Sequence, residues 1–303
     1  MKVAVTGATG FVGRYLVEHL LDSGHACRCW KRPTSQTNGF NDHHRLEWLE
    51  GELNRIDCAR ELVSGCDAVI HAALDRPGAG FRGAEGDLVE FVEANLVGTL
   101  RLIETARQQD VNRFVFISTC AVHEVILEDR QLDETHPLWP MTHYGAHKAA
   151  IEKFIHAYGL GQQYPICALR PTGIYGVTQP PTDSKWFDLV KAVVAGEAVE
   201  CHRGGKEVHV ADVAKAATLL LTAEGIEGQA YNCYDRYVSE FEVATIAKEI
   251  SGSKAQIGGE TKSPKHQIQT EKLGSLGMTF GGDTRLRETV AQLVEACKVG
   301  AIS

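Results

Sequence analysis

Two side chains spaced four residues apart could move a proton to or from a substrate. Tyr144 and Lys148 belong to a stretch with a helical pattern, residues 143–158, so their spacing places them on one helical face. A tyrosine is a poor acid or base near neutral pH because its reference pKa is about 10, but a neighbouring ammonium favours the phenolate. We therefore expect Lys148 to lower the pKa of Tyr144.

A hydroxyl pair could orient the substrate beside this tyrosine. Ser118 and Thr119 end a predicted strand, at the carboxyl edge where ligands bind in open α/β sheets, and a hydroxyl there can orient a substrate carbonyl. A Tyr-x-x-x-Lys pattern alone occurs often by chance. Combined with this hydroxyl and with a glycine-rich turn near the start of the chain, it is a strong signal for a catalytic site.

The glycine-rich turn Thr6–Gly13 follows the first predicted strand and opens the first predicted helix. Its G-x-x-G-x-x-G spacing lets backbone N–H groups approach a pyrophosphate, and the helix N-terminus adds partial positive charge. This position at the start of the sheet favours dinucleotide binding over a turn that merely packs a helix. The predicted dinucleotide contacts here are Gly7, Thr9, Gly10, Phe11, Val12, Gly13 and Arg14.

Basic residues after the second predicted strand bear on the choice of dinucleotide. NAD sites usually place Asp or Glu there for the ribose 2′-OH, whereas a 2′-phosphate calls for Arg or Lys. Lys31 and Arg32 occupy this position, and Arg32 could bind the phosphate bidentately with help from Arg14, although a solvated basic pair is the alternative interpretation. We expect NADP to be preferred, with NAD as the alternative. Weaker cofactor assignments are Glu52 and Leu53 at the adenine edge and Ala72 and Ala73 as a small wall.

Positioning these groups requires a parallel sheet covered by helices on both faces. Short apolar runs alternate with helical patterns over the first 170 residues, which predicts an α/β, doubly wound parallel sheet of the Rossmann type. The predicted strands are Lys2–Thr6, Ala26–Trp30, Leu46–Leu49, Asp67–His71, Arg113–Ser118 and Pro165–Leu169. The predicted helices are Phe11–Ser23, Arg55–Ser64, Asp87–Gln109 and His143–Tyr158.

The alternation lapses beyond Pro171, where glycine and proline pairs separate shorter elements. We therefore expect residues 1–170 to form the dinucleotide-binding domain and residues 171–303 a smaller α+β C-terminal domain for the substrate. A segment of about 206–224 is expected to return to the first domain. Substrate specificity is expected to depend on the loop 75–86 and on segments beyond Thr172.

The composition limits the partners that the protein is expected to have. The net charge of −8 provides no field that would attract nucleic acid. No apolar run approaches the roughly 18 to 20 residues that span a bilayer, and the first strand begins without a signal peptide, which predicts a cytoplasmic protein. The nine scattered cysteines lack a Cys-x-x-Cys pair, which favours reduced thiols over disulfides or a metal site.

The order of the motifs resembles that of the extended short-chain dehydrogenases/reductases of the NAD-dependent epimerase/dehydratase family. The matching stretches are Thr6–Gly13, Val69–Ala73, Asn95–Thr99, Phe116–Val122, Asp133–Pro137, Tyr144–Lys148, Arg170–Gly176 and Val208–Val213. The resemblance implies Tyr144 as acid/base, Lys148 as its partner, and Thr119 as the hydroxyl that aligns the substrate, with Ser118 as the fallback. It also implies a homodimer packed through helices 87–109 and 143–158. Asn95, Ser118, Tyr144, Lys148 and Pro171 complete the residues expected beside the cofactor.

Departures from the family pattern narrow the expected reaction. Dehydratases of this family place an Asp-Glu pair directly after the active-site Thr, and related decarboxylases carry a Glu in the same stretch. Cys120 and Ala121 stand there instead, which disfavours both reactions. His123 occupies a position where the family often has Tyr, so it is a candidate substrate contact.

Other departures from the family pattern weaken the case for a nucleotide-sugar substrate without excluding it. Family members that act on nucleotide sugars hold the diphosphate with an Asn in the Arg-Pro-x-Asn-x-Tyr-Gly stretch and with an Arg shortly before Val-His-Val. Gly173 occupies the first of these positions in this chain and is a further candidate substrate contact. The second position falls near Gly205, where Arg203 or Lys206 could substitute for the family's Arg.

The leading hypothesis is an NADP-preferring oxidoreductase that interconverts a carbonyl and a secondary alcohol on a small or sugar-like substrate. The alternatives are a nucleotide-sugar epimerase that retains NAD and a cofactor-binding regulator without catalysis.

Overall fold

In this computed structural model the chain is described over residues 1–40, 43–76 and 85–300. Most of the loop 75–86, which the sequence associates with specificity, lies outside these ranges. The strands are β1 Lys2–Thr6, β2 Ala26–Lys31, β3 Leu46–Glu50, β4 Ala68–His71, β5 Phe114–Ile117, β6 Ile166–Pro171, β7 Gly173–Tyr175, β8 Val199–Cys201, β9 Gly204–His209, β10 Gln229–Cys233, β11 Arg236–Ser239 and β12 Ile257–Gly259.

Helices connect these strands. They are α1 Phe11–Asp22, α2 Ile56–Val63, α3 Leu88–Val92, α4 Gly98–Gln108, α5 His143–His156, α6 Phe187–Val194, α7 Val210–Leu219, α8 Glu240–Ser251, α9 Glu271–Gly274 and α10 Gly282–Gly300. Within the described ranges, no helix combines the length and the apolar character that crossing a membrane requires.

Seven strands form one parallel sheet in the order β10-β6-β5-β4-β1-β2-β3. The order reverses between β1 and β4, which creates the crevice at the carboxyl ends of the strands where ligands bind in doubly wound folds. The predicted α/β fold is confirmed. Its core is strongly apolar because the central strands are buried on both faces, as expected for a parallel sheet.

The chain divides into two compact units. The larger comprises Met1–Pro171, Val213–Cys233 and Ile268–Met278, and the smaller comprises Thr172–Asp212, Tyr234–Gln267 and the chain from Thr279 onward. The sequence predicted a return to the larger unit over about 206–224, whereas the residues that return are 213–233 and 268–278. The difference follows from strand pairing, because β9 pairs with β7 and β11 in the smaller unit while β10 pairs with β6 in the larger.

The smaller unit contains a three-stranded sheet in the order β11-β9-β7 and a two-stranded sheet of β12 and β8. Its helices α6, α8 and α10 pack on one another. They bury an apolar core that includes Val190, Val243, Leu286 and Val290.

The helix predicted over Asp87–Gln109 is interrupted. A π-helical turn at Glu93–Val97 separates α3 from α4 and contains the buried Asn95. The Asn95 side-chain amide donates to the Phe91 carbonyl at 3.0 Å, one turn earlier. Such π turns occur frequently at functional sites because they re-aim one side chain without ending the helix.

The glycine turn depends on contacts that exclude a side chain. We expect Gly13→Ala to lower the free energy of unfolding by more than about 3 kcal/mol, because its Cβ atom would clash with fixed backbone. That atom would lie 2.0 Å from the Gly7 carbonyl oxygen, whereas a Cβ atom at Gly10 would lie 3.3 Å from it. Gly10→Ala is therefore the control, and urea unfolding of both variants is the measurement. Equal stability of the two variants would contradict the argument.

Candidate active site

The turn after β1 approaches the next strand of the sheet at backbone distance. Gly7 has a φ of +72°, and a Cβ atom there would lie 2.7 Å from the Ala72 carbonyl carbon, so a side chain is excluded on both grounds. Gly10 is exposed and caps α1 without a side-chain hydrogen bond. No acidic residue occupies the first turn of α1. The helix N-terminus is therefore suited to the negative charge of a pyrophosphate.

A chain of hydrogen bonds behind this turn fixes β4 against β1. The Ala73 N–H donates to Thr6 Oγ1 at 3.2 Å, and Thr6 Oγ1 lies 2.6 Å from His71 Nδ1. His71 Nε2 lies 2.8 Å from Thr99 Oγ1, which donates to the Asn95 carbonyl at 2.5 Å. Because Thr99 uses its own hydrogen for Asn95, His71 Nε2 must donate to Thr99, and in a neutral ring Nδ1 then accepts from Thr6. Burial lowers the pKa of His71 to about 3, which keeps the ring in this form.

Asn95 connects the π turn to the loop after β4. Its Oδ1 accepts from the Asp75 N–H at 2.7 Å, and its Nδ2 donates to the Asp75 carbonyl at 2.8 Å. The side chain is 2% exposed, so these bonds replace water contacts. Asn95 therefore holds the loop beside Ala72 and Ala73, the predicted cofactor wall.

Arg14 contacts the loop that follows β2. Its guanidinium donates to the carbonyls of Asn38 at 2.7 Å and Gln36 at 2.8 Å, and it lies 4.7 Å from the Phe40 ring centroid. Burial lowers the pKa of Arg14. Arg14 therefore positions the loop after β2, where the sequence expected it to assist a 2′-phosphate.

Lys31 and Arg32 lie where the sequence placed them, at the end of β2. The Arg32 side chain is 65% exposed, and its Nη1 lies 3.9 Å from Asp75 Oδ1 in an ion pair of two exposed groups. Such a pair contributes little stability, so a phosphate could compete for this guanidinium. Glu52, after β3, is also exposed, whereas Leu53 packs against the core of the larger unit.

The two proposed reacting hydroxyls are brought together. Thr119 Oγ1 accepts from the Ala121 N–H at 3.1 Å, which leaves its own hydrogen for Tyr144, and the two side chains share a hydrogen bond. Burial raises the pKa of Tyr144, while the bond from Thr119 and the charge of Arg76 act in the opposite direction. The phenol is thus protonated at neutral pH in this form of the protein, which is the form of a proton donor.

Lys148 lies one helical turn beyond Tyr144 and is only 5% exposed. Its Nζ donates to the Ile117 carbonyl at 2.8 Å and lies 4.4 Å from the Phe116 ring centroid. Burial lowers the pKa of Lys148 to about 7, and the charge of Glu152 counteracts that effect. The lysine is therefore tied to the end of β5, the strand that leads to Thr119.

Sequence reasoning missed the ion pair beneath this lysine. Glu152 accepts from Arg170 through both carboxylate oxygens, at 3.1 and 3.0 Å from Nε and 2.5 Å from Nη2, and both side chains are almost fully buried. Ser118 Oγ also donates to Glu152. The spacing of four between Lys148 and Glu152 on α5 was the available signal, since it places both on one helical face.

His123 lies at this ion pair. Its Nδ1 is 3.2 Å from the Pro137 carbonyl, its Nε2 is 3.2 Å from Arg170 Nη1, and the side chain is 5% exposed. Burial lowers the pKa of His123 to about 3, and the positive charge of Arg170 contributes to this lowering as the second cause. Both ring nitrogens are thus engaged inside the protein. This placement favours a role in positioning Arg170 over the substrate contact that the sequence suggested.

The last two predicted site residues lie near the end of β6. Pro171 is buried as the final residue of that strand. Gly173 is exposed and begins β7 in the smaller unit. Arg76, which the sequence did not single out, lies close enough to Tyr144 for its charge to act on the phenol.

Comparisons with known proteins find a matching family and several relatives. The model of the NAD dependent epimerase/dehydratase family matches residues 3–233. The low-salt glycan biosynthesis protein Agl12 of Haloferax volcanii is 29% identical over 270 residues, 85% of each chain. A 4-hydroxy-2-methyl-3-oxo-4-farnesyl-3,4-dihydroquinoline-1-oxide ketoreductase of Stigmatella aurantiaca is 29% identical over 271 residues, 85% of this chain and 75% of that protein. The solved structure of MoeE5 in complex with UDP-glucose and NAD is 26% identical, with a TM-score of 0.77 over 100% of both chains.

Loss of the Glu152–Arg170 ion pair should change both the free energy of unfolding and the pKa of Lys148. We expect Glu152→Gln to lower the free energy of unfolding by about 3 to 5 kcal/mol, because it leaves the Arg170 charge buried and uncompensated. It should also lower the pKa of Lys148 below the value of about 7, since the carboxylate that raises this pKa is lost. Urea unfolding and NMR titration of the lysine measure the two effects.

Titration of Lys148 makes the free energy of unfolding depend on pH. The folded state holds Lys148 at a pKa of about 7 and the unfolded chain at 10.5, so the unfolded state binds more protons between these values. Burial of the lysine therefore opposes folding progressively less as the pH rises through that interval, and Glu152→Gln should extend the interval to lower pH. Glu90→Gln, on exposed α3 surface, is the control. An unchanged Lys148 titration in Glu152→Gln would refute the electrostatic coupling.

Proposed function

The chain belongs to the NAD-dependent epimerase/dehydratase family and is an enzyme, and on that premise we propose that it interconverts a carbonyl and a secondary alcohol on a small or sugar-like substrate. The observation that carries the proposal is the hydrogen-bonded pair of Thr119 and Tyr144 beside the buried Lys148. A nicotinamide cofactor supplies or accepts the hydride when bound. The exposed N-terminus of α1 and the bare Gly10 fit the pyrophosphate of that cofactor.

Tyr144 and Thr119 then have distinct tasks. Thr119 orients the substrate oxygen, and the Tyr144 phenol gives its proton to that oxygen in reduction or takes it back in oxidation. Burial raises the pKa of Tyr144, so the phenol enters the reductive direction protonated. In the oxidative direction, the positive charges of Lys148 and Arg76 favour the phenolate that accepts the proton.

Cys120 supports a redox reaction over loss of water. Elimination needs an acid and a base beside the active-site Thr, and this chain has Cys120 and Ala121 there. The partly buried Cys120 thiol donates to the Arg170 carbonyl at 3.0 Å. A thiol used in this way leaves proton transfer to Tyr144.

We propose NADP as the preferred cofactor within this family. The support is electrostatic, because Lys31 and the exposed Arg32 follow β2 where an acidic residue would serve the 2′-OH of NAD. Arg32 would exchange its contact with the exposed Asp75 for a 2′-phosphate bound through two of its guanidinium nitrogens.

Nucleotide-sugar epimerisation is the second candidate. The likeness to MoeE5, solved with UDP-glucose and NAD, favours it. An epimerase oxidises and re-reduces one carbon, so it would keep NAD through purification and show no net redox change. If the purified protein instead carries NADP and loses it on dialysis, that result supports the reductase.

We also propose a cytoplasmic homodimer. The pairing surface would be formed by α3, α4 and α5, where Val89 is 70% and Phe154 42% exposed, because exposed apolar side chains on neighbouring helices favour association. All nine cysteines lie within the described ranges and none of them forms a disulfide, as is usual in a reducing compartment.

The central experiment removes the proposed proton donor. Tyr144→Phe should lower kcat by about 10² to 10⁴-fold while NADPH still binds, because the ring remains and only the transferable proton is lost. Tyr164→Phe is the matched control, since its buried hydroxyl has no hydrogen-bond partner among the described residues. Turnover is measured over a panel of carbonyls and alcohols, and binding by NADPH fluorescence. Near-normal turnover by Tyr144→Phe would sink the assignment.

The cofactor preference has its own test. Arg32→Ala should raise the KM for NADP by about 10- to 100-fold and leave the KM for NAD nearly unchanged, because only NADP carries the phosphate that Arg32 would bind. Arg60→Ala, an exposed arginine of α2, is the control. Equal losses with both cofactors in Arg32→Ala, or better turnover of NAD by the unmodified protein, would overturn the preference.

A further inference from the structure

One carboxylate connects the two short segments that carry the proposed reacting hydroxyls. Thr119 is the N-cap of a short 3₁₀ turn, and that turn ends at Glu124. Glu124 Oε2 accepts from the Met141 N–H at 2.5 Å and from Thr142 Oγ1 at 3.1 Å. Both donors directly precede α5, the helix that carries Tyr144 in its first turn. The Glu124 side chain therefore ties the turn after Thr119 to the start of the helix with Tyr144.

Thr142 extends this contact into the helix. It is the N-cap of α5, and its Oγ1 accepts from the Gly145 N–H at 3.1 Å while its hydrogen goes to Glu124. One hydroxyl thus connects the carboxylate to a helix N–H that has no partner within the helix. Because Gly145 directly follows Tyr144, this bond holds the backbone next to the proposed proton donor.

The first turn of α5 lies against the turn after Thr119 at backbone distance. Gly145 is buried, and a Cβ atom there would lie 2.7 Å from the Ala121 carbonyl oxygen and 2.7 Å from Pro140 Cβ. Segments packed this closely leave little room for movement toward one another. A shift of this helix end would therefore change the separation between Tyr144 and Thr119.

The middle of α5 has anchors of its own. Lys148 donates to the Ile117 carbonyl, and Glu152 is paired with Arg170. These contacts lie one and two helical turns beyond Tyr144. Helix ends fray more readily than helix centres, so an anchor at the N-terminal turn has a separate effect. Glu124 provides that anchor at the end of the helix where the phenol is attached.

We propose that Glu124 is a positioning residue for the reaction and acts through Thr142 to keep Tyr144 within hydrogen-bond distance of Thr119. All four residues belong to the larger unit. The inference rests on the proposed function, because it assigns Glu124 to the geometry of the proposed proton donor. Glu124 acts on the backbone beside Tyr144, and Tyr144 remains the group that moves the proton.

The first experiment compares removal of the carboxylate with its replacement by an amide. Glu124→Ala should lower kcat by about 10- to 100-fold, because a small displacement of a reacting group costs this much in rate. The KM for NADPH should stay nearly unchanged, since the cofactor-binding turn lies elsewhere on the sheet. Glu124→Gln keeps an oxygen that can accept both hydrogen bonds, so its kcat should stay within about 3-fold of that of the unmodified enzyme.

Asp133→Ala is the matched control for Glu124→Ala. Asp133 Oδ1 also accepts from an amide and a hydroxyl, both of Thr135, at 2.8 and 2.6 Å. It lies in the same loop before α5, and its removal changes the net charge by the same amount. Because its bonds do not reach α5, kcat should stay within about 3-fold of that of the unmodified enzyme.

The second experiment separates positioning of the phenol from a general structural effect. Glu124→Ala is combined with Tyr144→Phe, and its effect on the residual turnover is measured. Without a phenolic hydroxyl to position, Glu124→Ala should lower this turnover by less than about 3-fold. A general structural effect would lower kcat by the same factor in both backgrounds.

The third experiment needs no substrate. NMR of ring-labelled tyrosine reports the surroundings of the Tyr144 phenol, and Tyr144→Phe identifies its signal by loss. Glu124→Ala should shift this signal, because the hydrogen bond with Thr119 is disturbed. Glu124→Gln and Asp133→Ala should leave it in place.

Four results would each overturn the proposal. They are equal losses of kcat in Glu124→Ala and Asp133→Ala, equal losses in Glu124→Ala and Glu124→Gln, the same factor in the Tyr144→Phe background, and an unshifted Tyr144 signal in Glu124→Ala. If Glu124→Ala does not fold, Thr142→Val replaces it and should lower kcat to the same extent. Thr142→Ser, which keeps the hydroxyl, should retain kcat, and equal kcat in these two variants would also refute the role.

These outcomes are distinct from a failure of the proposed function. Near-normal turnover by Tyr144→Phe would refute the proposed function, whereas the Tyr144 signal would still report whether Glu124 positions the phenol. Turnover lost in Tyr144→Phe but retained in Glu124→Ala would refute the positioning role alone.

Discussion

The ion pair of Glu152 and Arg170 is the interaction on which the catalytic geometry depends. It joins α5, which carries Tyr144 and Lys148, to β6, and the Ser118 hydroxyl extends the contact to the end of β5. Burying two charges costs several kcal/mol for each, and only close, multiple hydrogen bonds recover that cost. The structure provides them through both carboxylate oxygens, together with His123 on the far side of the guanidinium. Such a cluster tolerates few arrangements, so it fixes the register between helix and strands.

That constraint explains how Lys148 can stay buried. An ammonium alone at this position would lose its proton easily, because burial lowers its pKa to about 7. The Glu152 carboxylate opposes this loss, and the Ile117 carbonyl accepts one of the amine hydrogens. The lysine is therefore held near its titration point beside the tyrosine. A cofactor with a positive ring would shift that balance further towards the phenolate of Tyr144.

The sequence was most informative where local rules decide the structure. Short apolar runs located the first six strands, and the glycine spacing located the turn after β1, because both patterns are local in the sequence. Glu152 and Arg170 were missed because their pairing joins residues far apart in the chain. Strand β10 was missed for a similar reason, since Gln229–Cys233 is short and is identified as a strand only by its pairing with β6. His123 was assigned from its place in the chain, but the direction of its ring depends on Arg170 and Pro137.

A protein with a net charge of −8 that binds a phosphorylated dinucleotide must keep its positive charge local. The structure divides the basic residues by task. Arg14 is directed at loop carbonyls and Lys148 at the end of β5, which leaves Arg32 exposed at the end of β2 as the side chain that a phosphate could recruit. In the smaller unit, Lys185 is matched to Glu207, so its charge is already neutralised. Recognition of a cofactor phosphate is therefore expected of Arg32 and not of Lys185.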